Sequence, residues 1–95
     1  MEKVIWSELA LQDLKDIYDF IRLDSKVYAD KTLDAFFDRV EILPAQPRIG
    51  RVVPERNDDN IREVLLGNYR IMYFIGQLPT VIVYRVIHFS RLFND

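Results

Sequence analysis

The chain has 95 residues, of which 49% are hydrophobic and 13% aromatic, so one folded domain spanning residues 1–95 is expected and a disordered chain is excluded. It has no cysteine and one histidine, which excludes disulfides and thiolate metal sites and argues against a histidine-based centre; we expect no metal and no cofactor. The net charge of −2 and pI of 5.3 lack the strong positive field typical of nucleic-acid-binding domains.

Charge is divided unevenly between the two halves. Residues 1–47 carry 6 basic and 10 acidic side chains, a balance of −4 that is typical of solvated helix faces. Residues 48–95 carry 7 basic and 5 acidic side chains, a balance of +2, and every cation in this half is arginine. The planar guanidinium group suits recognition of carboxylates or phosphates, so these arginines are candidates for structural or functional anion contacts.

The N-terminal sequence does not resemble a targeting segment. MEKVIWSELA lacks the basic stretch followed by an apolar run that defines a signal peptide. No stretch approaches the roughly 20 apolar residues that a membrane helix needs. We therefore expect a soluble cytoplasmic protein with no membrane partner.

A short strand and a helix are predicted at the start. Lys3–Trp6 is an apolar run that predicts an edge strand, and Ser7 follows as a helix N-cap with Glu8 in the first turn. The helix is predicted from Ser7 to Arg22 because apolar residues recur at helical spacing, namely Leu9, Ala10, Leu14, Ile17, Tyr18 and Ile21. The other, polar side of this helix is predicted to carry Asp13, Lys15, Asp16 and Asp19.

A second helix is predicted after Asp24-Ser25, ending at Pro44 and Pro47. Its apolar stripe consists of Ala29, Leu33, Phe36, Phe37, Val40 and Leu43. The short break between the helices predicts an antiparallel αα-hairpin. Both stripes are expected to face the core, and a partner surface at Phe36-Phe37 is the alternative.

Four strands are predicted after the hairpin, joined by polar or glycine-containing turns: Arg51–Val53, Ile61–Leu66, Tyr69–Ile75 and Thr80–Phe89. The last three form an antiparallel meander. The order β-α-α-β-β-β-β predicts an α+β fold, in which the N-terminal strand and the αα-hairpin pack on one face of an antiparallel β-sheet.

The arginines of the last hairpin restrict how its strands pair. If the numbers of paired residues summed to 155, Arg70 would lie opposite Arg85, and like charges in that position are destabilising. An even sum such as 156 places Arg70 opposite Val86 and diagonal to His88, with Arg85 on the other face. The even sum is therefore predicted, and with it Arg70 and His88 as neighbours.

Both faces of the sheet are predicted to be apolar. One face would carry Ile71, Tyr73, Ile75, Val81, Val83 and Ile87; the other would carry Met72, Phe74, Ile82, Tyr84 and Val86 beside Arg70 and His88. Two helices can cover only one face, so we expect a short tail or another protein to cover the second. The predicted partner-binding residues are Met72, Phe74, Ile82, Tyr84, Val86, Phe89 and Arg91.

Arg70 and His88 are the candidate catalytic pair. An imidazole can act as a general acid or base near neutral pH, and an arginine can stabilise charge on a phosphate. The structural alternative has the histidine bonded to backbone and the arginine paired with Glu63 or Glu55. Arg62 and Glu63 are likewise expected to be structural, each with its own cross-strand partner. The sequence contains no phosphate-binding loop, nucleophile elbow or metal-ligand spacing.

Short motifs follow one another along about 85 of the 95 residues. They are V-I-W-S-x-x-A-x-x-D-L-x-x-I at Val4–Ile17, Tyr18-x-x-Ile21, P-x-x-G-R at Pro47–Arg51, Pro54-Glu55, R-E-V at Arg62–Val64, N-Y-R-I-M-Y at Asn68–Tyr73 and His88-x-x-Arg91. In this order and spacing the chain resembles the RelE/ParE superfamily of type II toxin–antitoxin toxins, and within it ParE more than RelE.

The resemblance implies a small toxin of a plasmid-stabilisation module, neutralised by a cognate antitoxin in a toxin–antitoxin hetero-oligomer. ParE-like members bind and poison DNA gyrase, whereas RelE-like members are endoribonucleases that cleave mRNA on the ribosome. A non-toxic, antitoxin-binding relative is the third possibility that the resemblance leaves open.

By position, Arg70 matches the arginine that both branches share, His88 matches a histidine of some RelE-like nucleases, and Glu55 loosely matches their general-base glutamate. Those nucleases have a tyrosine directly after the histidine, and here Phe89 stands there and cannot transfer a proton. No lysine follows Lys31, although RelE-type sites use lysines. These differences favour the ParE-like interpretation, in which no residue is firmly assigned as catalytic.

Overall fold

The structure, a computed structural model, describes residues 3–77 and 79–89, and within these ranges it contains two helices and five strands. They follow the predicted order, with bounds β1 Lys3–Trp6, α1 Glu8–Arg22, α2 Lys26–Val40, β2 Arg51–Val52, β3 Ile61–Leu66, β4 Tyr69–Ile75 and β5 Thr80–His88. Neither of these helices is long and apolar enough to cross a bilayer. The predicted α+β fold is confirmed.

A serine caps the N-terminus of each helix. The Ser7 hydroxyl accepts a hydrogen bond from the Ala10 amide at 3.0 Å and donates one to the Tyr84 carbonyl oxygen at 3.1 Å. The Ser25 hydroxyl accepts from the Tyr28 amide at 3.1 Å. Ser7 is thus the predicted N-cap, and it also fixes the start of α1 against β5.

The sheet has the strand order β1-β5-β4-β3-β2, so β1 lies at an edge as predicted. β2 to β5 pair antiparallel, whereas β1 pairs parallel to β5, with Val4 opposite Val81. Parallel strands need a long crossover connection, and the helical hairpin provides its first part. The predicted antiparallel sheet is therefore mixed at this edge.

A β-bulge divides the β4–β5 pairing into two registers. Tyr73 pairs with Val83 at the predicted sum of 156, but on the other side of the irregularity Arg70 pairs with Ile87 and Tyr69 with His88, a sum of 157. Side chains alternate along a strand, so a shift of one residue reverses the faces. The prediction that Arg70 and His88 are neighbours is wrong: they lie on opposite faces of the sheet.

The main core lies between the helices and the sheet. Its buried members are Ala10, Leu14, Phe36, Val40, Leu43, Val64, Ile71, Tyr73, Ile75, Val81, Val83 and Val86. The helical stripes therefore face the core as predicted, except at their margins, where Leu9 is exposed and Phe37 is 42% exposed with its ring against Trp6.

A second buried cluster lies on the opposite face of the sheet. It is formed by Val53, Met72 and Ile87, with Ile61 and Tyr84 packed against it. Val53 directly follows β2, so the β2–β3 connection itself covers part of the face that the sequence left uncovered. The bulge exchanges Val86 and Ile87 relative to prediction: Val86 is in the main core, and Ile87 is in this second cluster.

Tyr73 holds the segment before β2 against the sheet through hydrogen bonds of its hydroxyl group. Its buried hydroxyl donates to the Pro47 carbonyl oxygen at 2.6 Å and accepts from the Gly50 amide at 3.0 Å, and burial raises the pKa of Tyr73 above its ordinary value. A Cβ atom on Gly50 would lie 2.5 Å from the Glu63 carbonyl oxygen and 2.6 Å from the Tyr73 hydroxyl. The absence of a side chain at Gly50 therefore permits this contact.

Gly50→Ala is accordingly expected to lower the free energy of unfolding by about 3 kcal/mol, because the added methyl group must displace backbone and a buried hydroxyl. Gly67→Ala is the matched control. Its Cβ would meet nothing within 4 Å, and only the positive φ of +55° opposes it, at a cost of about 1 kcal/mol. Urea denaturation of both variants measures the difference, and equal losses would show that the contact at Gly50 is not tight.

Candidate functional site

Arg70 lies at the centre of a partly buried ion network with two glutamates. Its Nε donates to Glu63 Oε1 at 2.7 Å, and its two Nη atoms donate to the two Glu55 carboxylate oxygens at 2.8 Å each. Glu63 Oε2 accepts from Arg51 Nε at 2.6 Å. Arg70 is 5% exposed and Glu63 is 1% exposed. We call these four residues the Arg70 network; its two cations balance its two anions.

Strand pairing brings the network together. Arg51 of β2 pairs with Glu63 of β3, and Arg70 of β4 pairs with Leu65, two residues beyond Glu63 on the same face. Glu55 comes from the turn after β2. The hydrogen bonds that Arg70 donates to Glu55, and secondarily the one it donates to Glu63, raise the pKa of Arg70 despite the opposing effect of burial. Arg70 is therefore a permanent cation whose charge the protein already compensates.

Within the network, Arg70 and Glu55 are engaged chiefly with each other. Nε and both Nη atoms of Arg70 are engaged, and both Glu55 oxygens are bound to the same guanidinium group. A phosphate approaching Arg70 would meet two carboxylates and would have to displace Glu55. The structural alternative from the sequence, an arginine paired with Glu63 or Glu55, is confirmed with both partners.

Arg62 is engaged separately, on the other side of β3. Its guanidinium donates to the Gly50 carbonyl oxygen at 2.8 Å and to Asp59 Oδ1 at 2.8 Å. Arg62 and Glu63 thus each have partners of their own, as expected, although Asp59 precedes the strand of Arg62 rather than lying across from it.

His88 lies apart from the Arg70 network. Its ring meets Tyr69 edge-on with centroids 5.5 Å apart, on the helix side of the sheet. Of the three catalytic candidates, the fold brings Arg70 and Glu55 together and places His88 across the sheet from them. A concerted acid–base pair of Arg70 and His88 is therefore not formed.

Asp13 is a largely buried polar residue whose role was not predicted from the sequence. Its carboxylate accepts from Arg85 Nε at 2.9 Å and from the Val86 amide at 2.8 Å, and its side chain is 12% exposed. The prediction that Asp13 lies on the solvated side of α1 is wrong. The available signal was its position between Ala10, Leu14 and Ile17, within the core-facing stripe.

The predicted partner-binding residues differ in how far they are exposed to solvent. Phe74 is 39% exposed, Phe89 is 50% exposed, and Ile82 and Tyr84 are half-buried, so these four form an accessible apolar surface on the second face. Met72 is fully buried beneath this surface, and Val86 belongs to the main core instead. Arg91 lies outside the described residues.

An open cleft of about 360 Å³ continues this surface beside the Arg70 network. It is lined by Arg51, Pro54, Glu55, Arg70 and Phe89. Its floor is the neutral ion network and its wall is an exposed aromatic ring. Such a mixture of apolar rim and compensated charge suits contact with another protein.

Comparison with known proteins identifies the family. Residues 4–93 match the family described as ParE toxin of type II toxin–antitoxin system, parDE. The chain belongs to this family. It is thus a type II toxin–antitoxin toxin of the ParE/RelE superfamily, as the motifs indicated, and none of the curated proteins matches it by sequence.

Two solved toxin–antitoxin structures share the fold of this toxin. A chain of the chromosomal ParDE system from P. aeruginosa aligns with a TM-score of 0.74 and 20% identity, covering 93% of this chain and 96% of that one. A chain of the toxin–antitoxin complex RelBE2 from Mycobacterium tuberculosis aligns with a TM-score of 0.66 and 23% identity, covering 92% of this chain and 90% of that one. At these identities the similarity establishes the fold alone.

Proposed function

We propose that this toxin binds and poisons DNA gyrase, as ParE-like members do, and that a cognate antitoxin neutralises it in a hetero-oligomer. The observation that carries the choice of target is the Arg70 network. A poison that acts by binding needs a stable surface and no proton-transfer pair. The one arginine that both branches share is here compensated by Glu63 and Glu55.

The second candidate, a ribosome-dependent endoribonuclease, has less support. General acid–base cleavage requires its groups within hydrogen-bond reach of one reacting phosphate. His88 and Arg70 lie on opposite faces of the sheet, and Phe89 beside His88 has no titratable group. Binding of mRNA and ribosome also favours a strongly basic surface, which a net charge of −2 does not supply.

The antitoxin is proposed to cover the second face. Phe74, Ile82, Tyr84 and Phe89 present apolar surface there that the β2–β3 connection leaves accessible. Phe74 pairs with Ile82 across β4 and β5, so the two side chains form one continuous patch. Burial of such a patch against a partner would stabilise the complex by the hydrophobic effect.

Expression of the toxin without antitoxin tests the proposal. DNA supercoiling, mRNA integrity and protein synthesis are followed together in the first minutes after induction. We expect supercoiling to stall and DNA damage to appear while mRNA and protein synthesis remain intact. The purified toxin is expected to inhibit gyrase supercoiling in vitro, and co-expression of the small protein encoded by the adjoining reading frame is expected to restore growth.

His88→Gln separates the two targets. Because His88 lies away from the Arg70 network, the substitution is expected to leave gyrase inhibition in place. Rapid mRNA loss that His88→Gln abolishes would instead establish the endoribonuclease. Growth unaffected by induction, with the antitoxin still bound, would identify a non-toxic antitoxin-binding relative.

A further inference from the structure

A second cleft, of about 470 Å³, opens between α1 and the end of the β4–β5 hairpin. Its helix wall includes Asp16, Ile17 and Phe20, and its strand wall includes Tyr69 and His88. We call it the α1 cleft. Its volume falls in the range of small-ligand pockets and is ample for a long side chain of a partner.

The carboxylates around the α1 cleft differ in how they are compensated. Asp13 is neutralised by Arg85, and Asp19 pairs with Lys15 at 2.7 Å. Asp16 accepts a hydrogen bond from the uncharged side-chain amide of Gln12 at 2.8 Å, and no cation in the described part of the chain forms an ion pair with it. Lys15 interacts with Asp16 through space but pairs directly with Asp19, so the negative charge of Asp16 is only partly compensated on the helix wall.

An exposed aromatic ring stands beside this charge. Phe20 follows Asp16 by four residues, which places both on one face of α1. Phe20 is 74% exposed, and Ile17 between them is half-buried. A guanidinium group can bond a carboxylate through two parallel hydrogen bonds and stack on an aromatic ring, whereas an ammonium group supplies only a compact charge. The pair is thus complementary to arginine.

We propose that the α1 cleft binds an arginine side chain of the antitoxin, with its guanidinium on Asp16 and its stem against Phe20 and Ile17. This inference rests on the proposed function. Ile87 lines the α1 cleft and also belongs to the second-face cluster, so the two surfaces adjoin at this residue of β5. The balance of −4 in residues 1–47 would also attract a basic segment.

Calorimetric titration of the antitoxin into the purified toxin tests the inference. Asp16→Lys is expected to raise Kd by about tenfold or more, equivalent to about 1.4 kcal/mol, and Phe20→Ala is expected to raise it severalfold. Asp34→Lys is the matched control, because Asp34 is exposed on α2, forms no ion pair with any residue that the structure describes and gives the same change in net charge. It is expected to change Kd by less than about twofold. Circular dichroism confirms that each variant is folded.

Equal effects of Asp16→Lys and Asp34→Lys would overturn the inference, since only net charge would then matter. An arginine-to-glutamate substitution in the antitoxin that restores tight binding to Asp16→Lys, and to no other variant, would identify the bound residue. If the free toxin dimerised and Asp16→Lys abolished the dimer, the α1 cleft would be assigned to a second copy of the chain. That result would also overturn the inference. The proposed function fails separately, if the wild-type toxin binds no antitoxin or inhibits no gyrase.

Discussion

Replacing Arg70 with methionine is expected to lower the free energy of unfolding by about 3–5 kcal/mol. Methionine keeps the length and apolar stem of the side chain but leaves Glu63, which is 1% exposed, with one cation in place of two. Glu55 loses its bidentate partner at the same time. Removing one member of a buried ion pair is costly because the remaining charge stays out of water without compensation. Chemical denaturation of the purified variant measures the loss.

Arg51→Met is the matched control for this prediction. Arg51 binds the same Glu63 carboxylate, but its side chain is 55% exposed, so its loss is expected to cost less than about 1 kcal/mol. The double variant Glu63→Met/Arg70→Met is expected to lose far less stability than the sum of the losses in the two single variants, because both charges leave the interior together. A full-sized loss in Arg51→Met, or none in Arg70→Met, would contradict the network as described.

The expected instability of Arg70→Met changes how a loss of toxicity in Arg70 variants must be interpreted. Small domains are stable by only about 5–15 kcal/mol, so Arg70→Met would remove a large part of that margin. A non-toxic Arg70 variant would therefore be expected from partial unfolding alone, without any catalytic role. Toxicity of Arg70 variants is informative only beside their measured stability and beside His88→Gln.

The elements could be predicted because they depend on local patterns. Apolar spacing and Ser7 located α1, and the turns at Gly67 and Gly76 located the last three strands to within one residue. The family motifs then indicated the toxin class. The pairing of Arg70 with Glu63 and Glu55 was available as an alternative, since buried charges require partners. The strand order selects it, because β3 lies beside β4 and β2 lies on the other side of β3.

The site could not be predicted in full because a β-bulge shifts the pairing of β4 with β5 by one residue. A continuous hairpin with Arg70 beside His88 satisfied every pairwise rule along β4 and β5, and both Val86 and Ile87 are apolar enough to face the core. We expect the bulge to depend on a residue 72 positions away, since Asp13 of α1 binds Arg85 beside it. The local sequence pattern does not show which distant residue such a contact joins. The charge of Asp13 within an apolar stripe, complementary to Arg85, was the one indication.

Asp13→Ala is expected to cost about 3 kcal/mol, because the Val86 amide loses its acceptor and Arg85 loses its ion pair in a mostly buried position. It is also expected to loosen the bulge. Without Asp13, the end of β5 can pair in the continuous register, which satisfies the Val86 amide through the sheet and moves His88 toward Arg70. Cross-strand nuclear Overhauser contacts between Tyr69 and His88 should then weaken, and urea denaturation should record the loss of stability.

Two variants separate the contributions of Asp13. Asp13→Asn keeps an oxygen acceptor for the Val86 amide and removes only the charge, so it is expected to lose about half as much stability and to retain the Tyr69–His88 contacts. Asp16→Ala removes an exposed carboxylate one turn along the same helix and is expected to stay within about 0.5 kcal/mol of the wild type. If Asp13→Ala behaved like Asp16→Ala, the bulge would be intrinsic to β5. If it behaves as expected, a single helix carboxylate decides on which face of the sheet His88 lies.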